Sequence, residues 1–301
     1  EKGGAEGYFN KTESMFKRDR DQFLQQNAKY DQYNQSGLVS EEIEVNMDEE
    51  ISDSSVPDVN QFKDGLSMNQ TVADFDASRV GTRDHWKDVY ENELSNFHAT
   101  GDPGECWFEE ESKCMQRVSW WVRNEFFTES YKTARILDVG TGNGMMLIEL
   151  AKFGFRRLTG VDYIPQAVEL AKNNIKASKE EGGPLYGMPD LNDLHVEIFV
   201  DDLLHSNLPD ESFDVIHDKG TLDAISLSSK EHVSAYLLTC ARLTVKGGLL
   251  VLTSCNFAGE ELEHLLEETK RFKRAGGLSY PTIEFGGRRG SRVVSQAYRR
   301  I

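Results

Sequence analysis

From Ala134 onward the sequence alternates between short apolar runs and longer amphipathic segments, and this alternation constrains the fold more than any other feature. The apolar runs have the length of strands, and the segments between them have the length of helices. Strands that alternate with helices predict an α/β fold, a parallel sheet with helices on both faces. The predicted strands are "RILDV", "LTGVDY", "VEIFV", "FDVIHD" and "LLVLTSC", and the predicted helices are "MMLIELAKFG", "PQAVELAKNNIKAS", "SKEHVSAYLLTCARLTVKGG" and "GEELEHLLEETKRF".

The end of the chain breaks this alternation. The Gly-rich segment "GGRRGS" separates "YPTIEF" from "RVVSQAYRR", and two strands around such a turn predict a hairpin. We therefore expect at least one antiparallel strand in the sheet. Gly247 and Gly248 are predicted to end the third helix, because glycine is favoured directly after a helix. The segment "KEEGGPLYGMPDLND" is predicted to be a surface insertion.

The first quarter of the chain has a different composition. It is rich in acids, Asn, Gln and Ser, and the stretch from Glu41 to Asp58 holds eight acids and no base. Such a segment cannot bury enough apolar surface to fold, so we predict a disordered extension over residues 1–76 and a folded domain over residues 77–301. The extension could also steer a basic partner toward the domain.

The overall charge limits the classes of partner. The 301 residues carry a formal net charge of −17, which argues against nucleic acid or an anionic membrane as the main partner. No run of about eighteen apolar residues occurs, so no membrane span is predicted. Two helices are predicted before the sheet, one capped by Thr82 and one after Trp107.

The turn "LDVGTGNG" after the first strand has the character of a ligand-binding loop. Glycines let the backbone approach a ligand, and the next helix presents free N–H groups. The dinucleotide fingerprint GxGxxG would need a third glycine at Met145, but that glycine comes one residue early, at Gly144. With Asp138 ahead of Gly140, Gly142 and Gly144, all predicted to contact the ligand, and no nearby base, the turn suits a cationic ligand without phosphates. S-adenosylmethionine, with its ammonium, fits this description.

Two further acids follow the next two strands. Asp162, in "GVDY" before Tyr163, can accept hydrogen bonds from both hydroxyls of a ribose. Asp202, in "FVDDLL", can reach the amino group of adenine, with Leu203 against the ring. Asp201 is interpreted as a solvated neighbour. Acids at three successive strand ends meet at the edge where open α/β sheets bind ligands.

With these residues, the chain resembles the class I (seven-strand) S-adenosylmethionine-dependent methyltransferases. The flanking segments look like the family that methylates a lysine of translation elongation factor 1A, over most of the chain after about Arg83. The resemblance implies a Rossmann-like, doubly wound sheet of order 3-2-1-4-5-7-6 with strand 7 antiparallel and N-terminal helices over the cofactor site. The segments that carry it are "HWKDVYENEL", "GDPGECWFEEES", "LAKFGF", "DKGTLDAISL", "LTSCNF" and "EFGGRRG".

The resemblance also suggests residues around the reaction. Asp218, at the end of the fourth strand, is predicted to be catalytic by orienting the amine, with a helix cap as the alternative. Lys219 and Asn256 are assigned to the substrate side. Trp107 is predicted to close over the cofactor, and His217 to pack or face solvent. No metal site is predicted, because the histidines and the four cysteines form no ligand pattern.

The function implied by the resemblance is protein-lysine N-methylation, with elongation factor 1A as the protein substrate and S-adenosylmethionine as the cofactor. The alternative is a small-molecule N- or O-methyltransferase on the same fold, because a fold does not determine a substrate. We further expect a monomer in the cytoplasm, with the nucleus as a second location. The identity of the lysine and the number of methyl groups stay open.

Overall fold

A computed structural model describes residues 79–280, 283–285, 288–290 and 293–301. The chain divides into two units, Glu1–Gln70 and Thr71–Ile301, and all described residues belong to the second. The predicted acidic extension lies outside the described residues, so it stays a prediction. None of the helices in the described ranges is long and apolar enough to cross a membrane.

Eight helices and seven main-sheet strands form the described domain. The helices are α1 Arg83–Thr100, α2 Glu109–Ser112, α3 Cys114–Trp121, α4 Met145–Lys152, α5 Pro165–Lys179, α6 Thr221–Ser226, α7 Lys230–Leu243 and α8 Gly259–Glu268. The strands are β1 Arg135–Val139, β2 Arg157–Asp162, β3 His195–Val200, β4 Phe213–Lys219, β5 Thr244–Ser254, β6 Phe272–Leu278 and β7 Val294–Arg300. A short separate hairpin pairs Ile283–Phe285 with Arg288–Gly290.

The main sheet has the order β3-β2-β1-β4-β5-β7-β6. Strands β1 to β5 pair in parallel, and β7 runs antiparallel to both β5 and β6. This order confirms the predicted fold class and the antiparallel seventh strand. Helices α3, α4 and α5 pack on one face and α6, α7 and α8 on the other, so each face has its own apolar core.

Two predictions about the second half of the sheet were wrong. The partner of β7 is β6, in "RFKRAGGL", whereas part of "YPTIEF" forms the separate short hairpin. Helix α7 ends at Leu243, and Gly247 and Gly248 lie within β5 instead of capping the helix. β6 escaped detection because its edge position leaves most of its residues exposed, so it lacks an apolar run.

The local signals at two helix starts were correct. The Thr82 side chain accepts a hydrogen bond from the His85 N–H, so it caps α1 as predicted. Pro165 opens α5, where its fixed φ suits the first helical turn. Correct starts matter here because α1 and α5 both border the carboxyl ends of the strands, where the predicted ligand-binding residues lie.

Candidate functional site

A cavity of about 330 Å³ opens at the carboxyl ends of β1 to β4. Its volume lies within the range of small-molecule sites. It is where the topology places most of the predicted ligand-binding side chains. The predicted residues that line it are Trp107, Asp138, Gly140, Gly142, Asp162, Tyr163, Asp202, Leu203 and Lys219, whereas Gly144, Asp218 and Asn256 do not.

The glycine turn forms one wall of this cavity. Gly140 and Gly142 have φ values of 60° and 54°, a region that L side chains rarely adopt. A Cβ on Gly140 would also overlap the Oγ1 atom of Thr221 at the start of α6. The Thr141 N–H donates to the Val161 carbonyl at 2.8 Å, which holds the turn against β2. Both glycines line the cavity, and their positive φ values and close neighbours leave no space for a side chain at either position.

Gly144, predicted to contact the cofactor, has a packing role instead. It precedes α4 with a φ of 75° and does not line the cavity. A Cβ at this position would lie 2.8 Å from the Cβ of Ala171 on α5. The glycine therefore lets α4 and α5 approach each other directly behind the turn.

Replacing Gly144 by alanine should lower the free energy of unfolding by about 2 kcal/mol, because it adds left-handed strain to a steric overlap. Ala171→Gly in the same chain removes the overlap and leaves the strain, so the double variant should recover part of the loss. Thermal unfolding of the wild type, the two single variants and the double variant measures the contributions of the backbone strain and of the steric overlap. Ala171→Gly alone also destabilises its helix, so a double variant whose loss equals the sum of the two single losses would contradict the packing explanation.

Asp138, at the end of β1, is held by two neighbours. Its Oδ2 accepts from the Thr141 hydroxyl at 2.7 Å, and its Oδ1 lies 2.8 Å from His217 Nδ1. The Asp138 and His217 side chains are both almost fully buried. His217 was predicted to pack or face solvent, and the structure shows it orienting the carboxylate at the cavity. The strand register, which pairs the two residues across β1 and β4, is the signal that the sequence alone did not provide.

Asp162 joins the turns that follow β1 and β2. Its carboxylate accepts from the Gly142 N–H at 3.0 Å and from the Ile164 N–H at 2.9 Å. Burial raises the pKa of Asp162 to about 6; the two N–H groups oppose this shift and Asp138 adds to it. The side chain is therefore a strong acceptor at neutral pH and loses that ability in mild acid.

Binding of S-adenosylmethionine should weaken as the pH falls from about 7.5 to about 5, because protonated Asp162 loses an acceptor for the ribose hydroxyls. The stability of the ligand-free protein should change in the opposite sense. A folded-state pKa above the unfolded value makes ionised Asp162 unfavourable, so its contribution falls as the pH rises from about 4 to about 6. Isothermal titration calorimetry across this range tests the first part. The same pH slope in Asp162→Asn would contradict the assignment to this carboxyl.

The two acids after β3 differ in how many of their oxygens already have hydrogen-bond partners. Asp202 lines the cavity, but its oxygens already accept from the Leu204 N–H and contact His205 Nδ1, and its side chain is about half exposed. Asp201 was interpreted as a solvated neighbour, yet its Oδ2 is buried and has no hydrogen-bond partner among the described residues. Asp201 also lines the cavity, so it is the acid with an acceptor to spare. Leu203 is buried beside both, and its contact with an adenine ring stays a prediction.

Aromatic side chains from the N-terminal region close the opposite side of the cavity. Trp86 and Tyr90 come from α1, and the Trp86 ring lies 5.1 Å from the ring of Trp107. Arg83 donates to the Tyr163 carbonyl at 3.1 Å and lies over the Tyr163 ring, which ties the start of α1 to the loop after β2. The sequence predicted this helical stripe but not that part of it faces the cavity.

The two residues assigned to the substrate side lie in different places. Lys219 lines the cavity, where its Nζ atom is 3.4 Å from the Trp107 carbonyl and 5.7 Å from the centroid of the Phe108 ring. Asn256 is exposed beyond the cavity, and its Nδ2 atom donates to the Asp223 carbonyl at 3.4 Å. The structure therefore brings Lys219 to the other site residues and leaves Asn256 outside.

Asp218 is buried beneath the site and does not reach the cavity. Its oxygens accept from the Thr221 and Leu222 N–H groups at 2.9 Å, and the Tyr236 hydroxyl donates to it as well. Burial raises the pKa of Asp218 to about 7, although these three donors act against the shift. Its geometry is that of a cap for α6 and not of the catalytic group that was predicted, because no free oxygen faces the cavity.

The hydrogen-bonding groups that line the cavity fit S-adenosylmethionine. The acids at its wall can accept from an ammonium, from ribose hydroxyls and from an amino group, and the buried free oxygen of Asp201 needs such a donor. Gly140 and Gly142 line the same cavity beside these acids. In the described residues no group of three or more His, Cys, Asp or Glu side chains is placed to hold a metal ion.

Comparison with known proteins agrees with this geometry. A family described as a methyltransferase domain matches residues 130–293, more than half of the chain. The chain belongs to this methyltransferase family. The matched residues contain β1 to β5 and the glycine turn, and the methyl donor of the methyltransferase is S-adenosylmethionine.

Individual relatives extend the match beyond the domain. The methyltransferase is 37% identical over 230 residues to EEF1A lysine methyltransferase 2 of Homo sapiens, which covers 75% of this chain and 89% of the relative. It is 33% identical over 237 residues to the protein-lysine N-methyltransferase EFM4 of Saccharomyces cerevisiae, with 76% and 98% covered. Among solved structures, magnesium protoporphyrin IX methyltransferase from Synechocystis has a TM-score of 0.49 and 15% identity, with 73% and 98% covered.

Proposed function

We propose that this methyltransferase transfers a methyl group from S-adenosylmethionine to a lysine of translation elongation factor 1A. The observation that carries the proposal is the identity of 37% to human EEF1A lysine methyltransferase 2, which extends over 89% of that protein. The yeast relative, named as a protein-lysine N-methyltransferase, is matched over almost its whole length. Matches that long include the segments around the cavity as well as the glycine turn.

Different residues of the cavity would bind different groups of S-adenosylmethionine. Asp138, oriented by His217 and Thr141, would accept from the ammonium of the donor. Asp162 would accept from the ribose hydroxyls, and Asp201 from the amino group of adenine. When bound, S-adenosylmethionine supplies a methyl group on a sulfonium that is activated toward attack by an amine. The protein therefore needs to position the reactants and exclude water.

An acceptor lysine must arrive as a neutral amine, since an ammonium has no lone pair. The reference pKa of a lysine side chain is about 10.4, so the neutral form is rare at pH 7. Burial and a nearby like charge both lower the pKa of an amine. The aromatic wall of Trp86 and Trp107 provides the burial, and Lys219 provides the charge. These groups would favour release of the proton before transfer.

The direct test is to incubate the purified chain with elongation factor 1A and S-adenosylmethionine labelled in the methyl group. We expect label on the protein band, located on lysine by peptide mass spectrometry. Asp138→Ala, which removes an acceptor at the donor site, should abolish the label, whereas exposed Asp193→Ala outside the cavity should retain it. Label found only in small molecules, or elongation factor 1A left unmodified, would overturn the proposal.

A further inference from the structure

We propose that the outer edge of the sheet, along β3 and α5, is a docking surface for an extended acidic segment of a partner protein. The surface is a groove of about 480 Å³. It shares no lining residue with the donor cavity, the cavity at the carboxyl ends of β1 to β4 that is proposed to hold S-adenosylmethionine. Three features meet in it: an open strand edge, an apolar floor and a row of lysines. None of the three depends on the identity of the methylated substrate.

The strand edge is open. Within the described residues β3 pairs only with β2. The N–H groups of His195 and Asp201 donate to carbonyls on the β2 side at 2.8 and 3.1 Å. Main-chain groups of successive strand residues point to opposite sides, so those of Val196, Ile198 and Val200 point away from the sheet. A further strand could pair with this row of donors and acceptors.

The floor of the groove is apolar. Side chains two apart in a strand lie on one face, which places Val196 and Ile198 together toward α5, where they line the groove with Ile175. Val200 continues the row and is 48% exposed, one of the few large apolar side chains so exposed in the described residues. An added strand would cover this apolar row with the stems of its own side chains.

The wall of the groove is basic. Lys172, Lys176 and Lys179 are spaced four and three residues apart, which puts them on one face of α5. Glu180 is the one acid that lines the same groove. None of the three lysines forms an ion pair with a carboxylate of the described residues, in contrast to Lys87, Lys132 and Lys152. A cluster of unpaired bases in a chain of net charge −17 is complementary to an acidic partner.

The combination favours an acidic peptide over nucleic acid. A peptide can use the open main-chain edge and the apolar floor, which a nucleic acid cannot pair with in strand register. In the bound form, acidic side chains on the α5 side of the added strand would lie against the lysines.

The test uses a fluorescently labelled peptide of alternating Glu and Val, with a peptide of alternating Lys and Val as its control. We expect the acidic peptide to bind, more weakly at high salt, and the basic one not to bind. Lys172→Glu, Lys176→Glu and Lys179→Glu combined should weaken binding by at least about tenfold, which is 1.4 kcal/mol. Val196→Pro should do the same, because it removes an N–H that points away from β2 and an apolar side chain of the groove floor.

The matched control reverses three lysines elsewhere. Lys246→Glu, Lys270→Glu and Lys273→Glu combined change the net charge equally, and all three lysines are exposed outside the groove. This variant should bind the acidic peptide within about threefold of the wild type, which is less than 1 kcal/mol. Circular dichroism and methyl transfer should be unchanged in every variant, since none touches the donor cavity.

Several results would overturn the proposal. One is failure of the acidic peptide to bind, or equal binding by the groove and control variants. Another is tighter binding of a single-stranded RNA oligonucleotide that the groove substitutions remove, which would assign the surface to nucleic acid. A dimer that Val196→Pro converts to a monomer would assign the edge to a second copy of the chain.

Discussion

Asp162→Ala should weaken the binding of S-adenosylmethionine by about 100-fold, or roughly 3 kcal/mol. The substitution removes the carboxylate predicted to accept from both ribose hydroxyls. It also frees the Gly142 and Ile164 N–H groups, so the turns after β1 and β2 lose their shared acceptor. Isothermal titration calorimetry on ligand-free protein measures the change directly, independent of any protein substrate.

The control for Asp162→Ala is a substitution outside the cavity that also removes one negative charge. Asp193→Ala removes an exposed acid from the turn before β3 and should bind the donor as the wild type does. Thermal unfolding without ligand shows how much of the Asp162→Ala effect comes from loss of the fold. A folded Asp162→Ala protein that binds the donor with unchanged affinity would remove Asp162 from the site.

Asp218→Ala should produce the largest loss of stability, about 3 kcal/mol or more, with a fall in Tm on the order of 10 °C. The substitution leaves the Thr221 and Leu222 N–H groups and the Tyr236 hydroxyl buried without their acceptor. Asp218→Asn keeps one oxygen for these donors and should fall between the wild type and the alanine variant. Differential scanning calorimetry gives the Tm values of the wild type, Asp218→Asn and Asp218→Ala and so ranks their stabilities.

The same pair of variants separates a cap from a catalytic carboxylate. If Asp218 only supports α6, then Asp218→Asn assayed well below its Tm should keep kcat within about an order of magnitude. General acid–base catalysis contributes about 10² to 10⁴ in rate, so a catalytic role predicts a larger loss. Tyr236→Phe removes one donor and should cost about 1 kcal/mol without affecting kcat. A stable Asp218→Asn protein without turnover would restore the catalytic interpretation.

Much of the fold and of the donor site could be predicted because both depend on local pattern. Alternating strand and helix segments define the order of the elements, and parallel strands bring their carboxyl ends to one edge. Asp138 and Asp162 follow directly from that rule, and both line the cavity. β6 could not be found, because an edge strand with exposed side chains lacks the apolar run that marks a buried strand.

Other features depend on three-dimensional contacts that no spacing reveals. Asp218 lies next to the end of its strand as Asp138 does, but the alternation of side chains along β4 points it into the core beneath α6. His217, one residue earlier, contacts Asp138 only because β1 and β4 are aligned in that register. Choosing between Asp201 and Asp202 likewise required knowing which carboxylate is already occupied.

The double attachment of Asp162 has a consequence for how the site responds to its ligand. Because one carboxylate anchors both turns through hydrogen bonds within the chain itself, we expect the entropy of ordering these loops to be lost during folding and not during association. The site is preorganised, so amide hydrogens of the two turns should exchange slowly before any donor is added. Substitutions that loosen the turns from behind would then reduce affinity without touching a single group that contacts the donor.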